Sequence, residues 1–105
     1  MTCVKFLSKG ESLYGFEIKG HSSDDCNDLE GKIVCAAVSS AAYMTANTIT
    51  EIIGDRCDAY VDDALMSVVV KNPDVKTTAV LGGLKLHLTE LSKQYSKRIK
   101  ITTEV

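Results

Sequence analysis

Residues 33–50 form the longest stretch of the chain without Asp, Glu, Lys or Arg. The stretch is rich in Ala, lacks Gly and Pro, and is followed by Gly54, so it predicts one long helix that ends near that glycine. Its many hydroxyl side chains make a membrane span a poor interpretation. A helix without charges has to be covered on nearly all sides. Because 105 residues make only one small domain, we expect a second copy of the chain to supply part of that cover.

Runs of strand-forming residues lie on both sides of this helix. Residues 3–7 and 13–19 predict one hairpin, and residues 57–61 and 65–71 predict another, turning at Asp62-Asp63-Ala64. Asn72-Pro73-Asp74 ends the fourth strand and starts a second helix, and residues 99–105 alternate as a last strand. The order ββαββαβ predicts a single α+β domain over residues 1–105, a sandwich of two helices on a mostly antiparallel sheet.

The apolar spacing also predicts what lies inside. Tyr14, Phe16 and Ile18 should share the core face of the second strand. The stripe of the second helix comprises Leu81, Leu84, Leu88, Leu91 and Tyr95, and Lys93, Lys97 and Arg98 suit the C-terminal end of that helix. Gly82-Gly83 suggests close packing, and Cys3 and Cys57 resemble strand residues that face the core.

Charge and cysteine content limit the possible functions. Twelve Lys and Arg against fourteen Asp and Glu give a net charge of −2, which disfavours a strong general attraction to nucleic acid. No basic segment followed by an apolar run opens the chain, so we expect a cytoplasmic protein whose four cysteines are reduced. No close Cys pair suits zinc, and we expect neither a metal nor a cofactor.

Cys35 is the best candidate for chemistry. A nucleophilic cysteine needs a thiolate, access to solvent, and a base or a positive field nearby. Cys35 falls in the first turns of the long helix, where the helix dipole favours an anion. His21 follows the second strand, and a loop that returns to the sheet would bring its imidazole to the sulfur. On spacing alone, a core cysteine and a solvated histidine are the more common explanation of these two residues. His87, beside the leucine stripe, fits a histidine on the helix surface.

Between the two residues lies a polar stretch, residues 22–31, that predicts a loop. We expect it to act as a flap over Cys35, with Gly20 and Gly31 as hinges. The flap is acidic, and its members include Asp24, Asp25, Cys26 and Asp28. Cys26 suggests a redox hypothesis, in which oxidation joins it to Cys35 and blocks activity.

Two segments carry a resemblance to a known family. Gly20-His21-Ser22 and Ile33-Val34-Cys35-Ala36-Ala37-Val38-Ser39-Ser40 closely resemble the signature of the ribosomal-processing cysteine proteases, the Prp family. Chain length and the order of elements resemble the family too. The resemblance implies a cytosolic homodimer that removes the N-terminal extension of a ribosomal protein, large-subunit protein twenty-seven.

Carried onto this chain, the resemblance makes His21 the base and Cys35 the nucleophile. We expect the backbone N–H groups of Cys35 and Ala36 to stabilise the oxyanion, and Ser22 to lie near the substrate. Ser39, one helical turn after Cys35, either lies near the substrate too or is a small residue that allows close helix packing. Lys32 stands where the family pattern has an acidic residue. If that acid orients His21, Asp28 or Glu30 has to replace it, or the dyad works without it.

The substrate that the resemblance implies has an apolar or aromatic residue before the cut and basic residues after it. The alternative function is a non-catalytic, ribosome-associated binding module that uses its sheet or helix face. Such faces carry exposed aromatic and basic residues when they bind RNA, and this chain has few aromatics. We expect no membrane and no direct nucleic-acid partner.

Overall fold

The computed structural model describes residues 1–21 and 27–105, and their order is ββαββαβ, as predicted. The strands are β1 (Thr2–Lys9), β2 (Ser12–Lys19), β3 (Cys57–Asp62), β4 (Leu65–Val70) and β5 (Ile99–Glu104). The helices are α1 (Leu29–Asn47) and α2 (Val75–Gln94).

The five strands form one sheet in the order β3-β4-β2-β1-β5. All neighbours are antiparallel except β1 and β5, which run parallel. Both helices pack on the same face, and the core between the layers contains Phe6, Phe16, Val68, Leu81 and Leu88, all fully buried. The sheet is therefore covered on one side only, and the edge strands are β3 and β5.

The β1–β2 hairpin differs from the prediction at one position. Its register shifts after Leu7, so that Leu7 pairs with Gly15 while Ser8 pairs with Leu13. The extra residue, Tyr14, forms a bulge. Leu13 therefore enters the core, whereas Tyr14 stays half-exposed, with the Lys9 ammonium 5.5 Å from the centre of its ring. The predicted core position of Tyr14 is wrong because alternation along a strand fails at a bulge.

The first helix begins earlier than predicted and ends where predicted. The Asp28 side chain accepts a hydrogen bond from the Gly31 N–H and caps α1, so residues 29–31 belong to the helix and not to a loop. After Asn47 the helix continues as a π-helical segment, Thr48–Ile53, and stops at Gly54, whose φ of 85° is left-handed. The whole span Leu29–Ile53 is long and apolar enough to cross a membrane, a test that core helices of soluble proteins also pass.

Two further packing predictions are wrong. A side chain built at Gly82 or Gly83 would meet no described atom within 4 Å outside its own helix turn, so these glycines are not sites of close packing within residues 1–21 and 27–105. Cys3 is exposed, because residue 3 lies on the uncovered face of β1, while Cys57 is half-buried against the core as predicted. Arg98 lies beyond the end of α2 and takes a different partner, described below.

Candidate active site

A cleft of about 180 Å³ opens between α1 and the tip of the β3–β4 hairpin. His21 lines it from the end of β2, and Cys35 and Ser39 line it from α1. The opposite wall is formed by residues 61–66 of the hairpin. The fold therefore brings the predicted base, the predicted nucleophile and the predicted substrate-contacting serine to one cavity.

The helix wall of the cleft follows from helical spacing. Cys35, Ser39 and Tyr43 are four residues apart, so they share one face of α1, and all three line the cleft. Val34 and Val38 are buried beneath them and fix this face against the sheet. Cys35 itself is only half-buried, so its sulfur is accessible from the cleft.

His21 is positioned by its backbone. Gly20 has a φ of 88°, which turns the chain out of β2, and an added Cβ there would lie 2.5 Å from the Met1 carbonyl oxygen. The Met1 amine donates to the His21 carbonyl over 2.7 Å, and the Gly20 N–H donates to the Ala64 carbonyl over 2.9 Å. These bonds hold the end of β2 next to the hairpin tip, with the His21 side chain half-buried in the cleft.

The first turn of α1 is tied down by Arg98. Its guanidinium binds both Asp28 oxygens, at 2.7 and 3.0 Å, and its Nε donates to Glu30 over 2.9 Å. These two carboxylates hold the pKa of Arg98 above its usual value, Asp28 being the stronger cause. The predicted places of Asp28 in a flap and of Gly31 at a hinge are therefore wrong. Asp28 caps the helix, and Gly31 is buried in its first turn.

The start of α1 at Leu29 places Cys35 and Ala36 in the second turn of the helix. Backbone N–H groups at these positions donate to the carbonyls four residues earlier, Gly31 and Lys32. For both amides to bind an oxyanion, as predicted, their helical hydrogen bonds to these two carbonyls have to break. Ala36 is exposed and does not line the cleft. Ser22, Asp24, Asp25 and Cys26 lie outside the described residues, and so do the predictions made for them.

Sequence reasoning missed part of the lining. Tyr43 was detectable, because it lies two helical turns beyond Cys35 on the same face. Val61, Asp62 and Asp63 gave no local signal, because only the fold brings the β3–β4 hairpin to α1. Among the described lining residues there is no Lys or Arg, and Asp62 and Asp63 bring two carboxylates to the cleft, near the Met1 ammonium that is bonded to the His21 carbonyl.

The other cysteines that the structure describes are placed differently. Neither Cys3 nor Cys57 lines this cleft. Burial, together with the charge of Asp58, raises the pKa of the Cys57 thiol and so disfavours its thiolate. Within residues 1–21 and 27–105, no three His, Cys, Asp or Glu side chains are grouped so that they could hold a metal ion.

A half-exposed thiol and an imidazole in one cleft are the two groups that thiol-dependent hydrolases use. The model of the family described as cysteine protease Prp matches residues 1–100. The chain belongs to this family, and it is a cysteine protease.

Solved structures show the same fold. The essential ribosomal processing protease Prp from S. aureus, with a covalently linked product peptide, is 19% identical, with a TM-score of 0.87 over 99% of this chain and 100% of that one. The same protease with a substrate peptide is 18% identical, also with a TM-score of 0.87 over 99% and 100% of the two chains. A Streptococcus mutans protein is 24% identical, with a TM-score of 0.84 over 99% of each chain. No curated protein matches this chain.

Proposed function

We propose that this chain is an endopeptidase that removes the N-terminal extension of a ribosomal protein, large-subunit protein twenty-seven, with Cys35 as nucleophile and His21 as base. The observation that carries the proposal is that both side chains line one cleft in a member of the Prp family. The fold that the chain shares with a protease solved with substrate and product peptides supports a peptide substrate.

The proposed reaction proceeds through an acyl-enzyme. His21 accepts the thiol proton of Cys35, and the thiolate attacks the scissile carbonyl carbon. His21 then gives the proton to the departing amine as the carbon–nitrogen bond breaks. A water molecule, deprotonated by His21, hydrolyses the thioester and restores the thiol. Lys32 occupies the position at which the family pattern has an acidic residue. Asp28 and Glu30 are bound to Arg98 and do not take over the role of that residue, so the proposed dyad works without it.

The proposed protease is a cytoplasmic homodimer. An open, mainly apolar groove of about 700 Å³ between α1 and α2 supports a second subunit. Met44 of α1 is 67% exposed beside it, and Leu86 of α2 is 65% exposed nearby on the surface. Exposed apolar faces of this kind are typical of contacts between proteins. The dimer is tested by sedimentation, in which a single monomeric species at micromolar concentration contradicts it.

A non-catalytic binding module receives less support. On the uncovered face of the sheet, Lys5 lies 3.2 Å from Glu104 and Lys19 lies 3.2 Å from Glu17. Lys100 lies on the same face, so its described charges are mixed in sign, which is not the strongly basic surface that RNA requires. Membership of a protease family also favours the enzyme.

The decisive experiment uses a peptide that spans the junction between extension and mature protein. We expect the wild type to cleave it once, and Cys35→Ala and His21→Ala to lower kcat/KM by about 10³ or more. Cys57→Ala, at a cysteine outside the cleft, is the matched control and should retain activity. Cleavage that persists in Cys35→Ala contradicts the assignment. Alkylation of Cys35 by iodoacetamide no faster than in unfolded chain favours the binding module.

A further inference from the structure

The two aspartates of the cleft are not equivalent. One Asp62 oxygen accepts from the Tyr60 hydroxyl over 3.2 Å, and the other accepts from the Asp63 backbone N–H over 2.7 Å. The Asp63 carboxylate has no hydrogen-bond or ion-pair partner among the described residues, and it is exposed at the cleft. Both Asp62 oxygens therefore accept hydrogen bonds within the hairpin, whereas the Asp63 carboxylate is available to a ligand.

The hydrogen bond between the Gly20 N–H and the Ala64 carbonyl places His21 at the end of the cleft that adjoins the hairpin tip. It joins the residue before His21 to the residue after Asp63, so the tip of the hairpin lies beside the histidine. In the proposed reaction, His21 has to protonate the departing amine. In the bound substrate, the segment that follows the scissile bond therefore extends from Cys35 past His21 toward Asp63.

We infer that Asp63 is a specificity-determining residue that binds a Lys or Arg side chain in the part of the substrate that follows the scissile bond. The inference rests on the proposed function and adds to it the residue that selects a basic side chain in the substrate. The described lining holds no Lys or Arg that would pair with Asp63, so this carboxylate attracts a cationic side chain and disfavours an acidic one. Because the pair is exposed to solvent, its effect is modest, about two- to fivefold, and decreases with added salt.

The inference predicts in which step Asp63 acts. The segment after the scissile bond leaves when the acyl-enzyme forms, so Asp63 cannot influence the hydrolysis of the thioester. Its removal should lower the acylation rate or substrate affinity and leave deacylation unchanged. A residue that only stabilises the hairpin would change every substrate equally.

The test compares Asp63→Asn with Asp58→Asn, which removes an exposed aspartate of the same strand pair outside the cleft. Each enzyme is given three substrates: a junction peptide with Lys after the cut, the same peptide with norleucine, and a peptidyl aminomethylcoumarin that lacks that segment. We expect Asp63→Asn to lower kcat/KM about two- to fivefold for the lysine peptide at low salt and to leave the other two unchanged. Asp58→Asn should change none. Equal losses for all three substrates, or no loss for the lysine peptide, overturn the inference.

Binding to an inactive protein separates this inference from the proposed function. In the Cys35→Ala background, Asp63→Asn should weaken binding of the lysine peptide by the same factor and leave the norleucine peptide unchanged. If the wild type cleaves nothing while this difference in affinity holds, the proposed function fails and the contact made by Asp63 stands. If the wild type cleaves the peptide and the difference is absent from both assays, only the inference fails.

Discussion

The two walls of the cleft are built in opposite ways. The helix wall carries Cys35 on a helix of 19 residues that is capped by Asp28, tied to Arg98 and packed on the core through Val34 and Val38. Most of the hairpin wall is the end of an edge strand, β3, in which every residue after Cys57 is exposed, and the turn that follows it; only at Met66 of β4 does this wall reach the core. Reactive groups need fixed geometry, whereas groups that select a substrate can vary at little cost to stability. The comparison predicts that substitutions on the two walls have different consequences.

The largest difference in stability should come from one substitution made on each wall. Val38 is 2% exposed and Val61 is 52% exposed, and both line the cleft. Val38→Ala removes buried methyl groups and should lower the free energy of unfolding by about 2 kcal/mol. Val61→Ala should change it by less than about 0.5 kcal/mol. Urea titration measures both, and equal losses would contradict the contrast between the walls.

The N-terminal anchor of α1 should have an intermediate effect. Asp28→Ala removes both the cap and the ion pair with Arg98, and we expect a loss of about 1 kcal/mol in the free energy of unfolding. Asp28→Asn is the matched control, because asparagine caps helices well but carries no charge. A smaller loss for Asn than for Ala, measured by thermal unfolding, assigns the difference to the cap. Equal losses would place the whole effect in the ion pair.

The contribution of Asp55, at the start of the hairpin wall, to the free energy of unfolding should decrease in acid. Asp55, just before β3, accepts hydrogen bonds from the Thr77 hydroxyl and the Asp74 N–H, and these bonds hold the pKa of its carboxyl below the usual value. A lowered folded-state pKa contributes stability that is present above the unfolded-state pKa, about 3.9, and is lost as the pH falls through the folded-state value. The stability difference between wild type and Asp55→Asn should therefore shrink below about pH 4. Unfolding curves from pH 7 to 2.5 measure it, and a constant difference would contradict this role.

The smallest effect should come from the outer surface of α2. Gly83 is exposed and lines the groove between α1 and α2, and no described atom outside its own helix turn lies within 4 Å of a side chain built there, so Gly83→Ala should stabilise the isolated chain by about 0.5–1 kcal/mol through helix propensity. A second subunit packed on this face would meet the added methyl group. Thermal unfolding at two protein concentrations distinguishes the cases. Stabilisation that is lost at the higher concentration indicates that the partner packs here.

Secondary structure was readable from the sequence wherever its signals are local. The turn at Asp62-Asp63-Ala64, the cap at Asp74 and the left-handed Gly54 each act within a few residues, and all three are confirmed. The bulge at Tyr14 was not readable, and the start of α1 at Leu29 was missed although its cap, Asp28, acts locally on the Gly31 N–H. The first depends on the pairing of β1 with β2, and the second is strengthened by Arg98, which lies far along the chain.

The candidate site also has features with local sequence signals and features that depend on residues far apart in the chain. The two reactive residue types, the order of elements and the family signature around His21 and Cys35 are local properties that could be predicted. That these residues share a cleft with the β3–β4 hairpin, and that Asp28 caps a helix, became known only from the packed fold. Residue identity and spacing along the chain do not depend on packing. A side chain's partners across a cleft depend on how the sheet edge and the helix pack together.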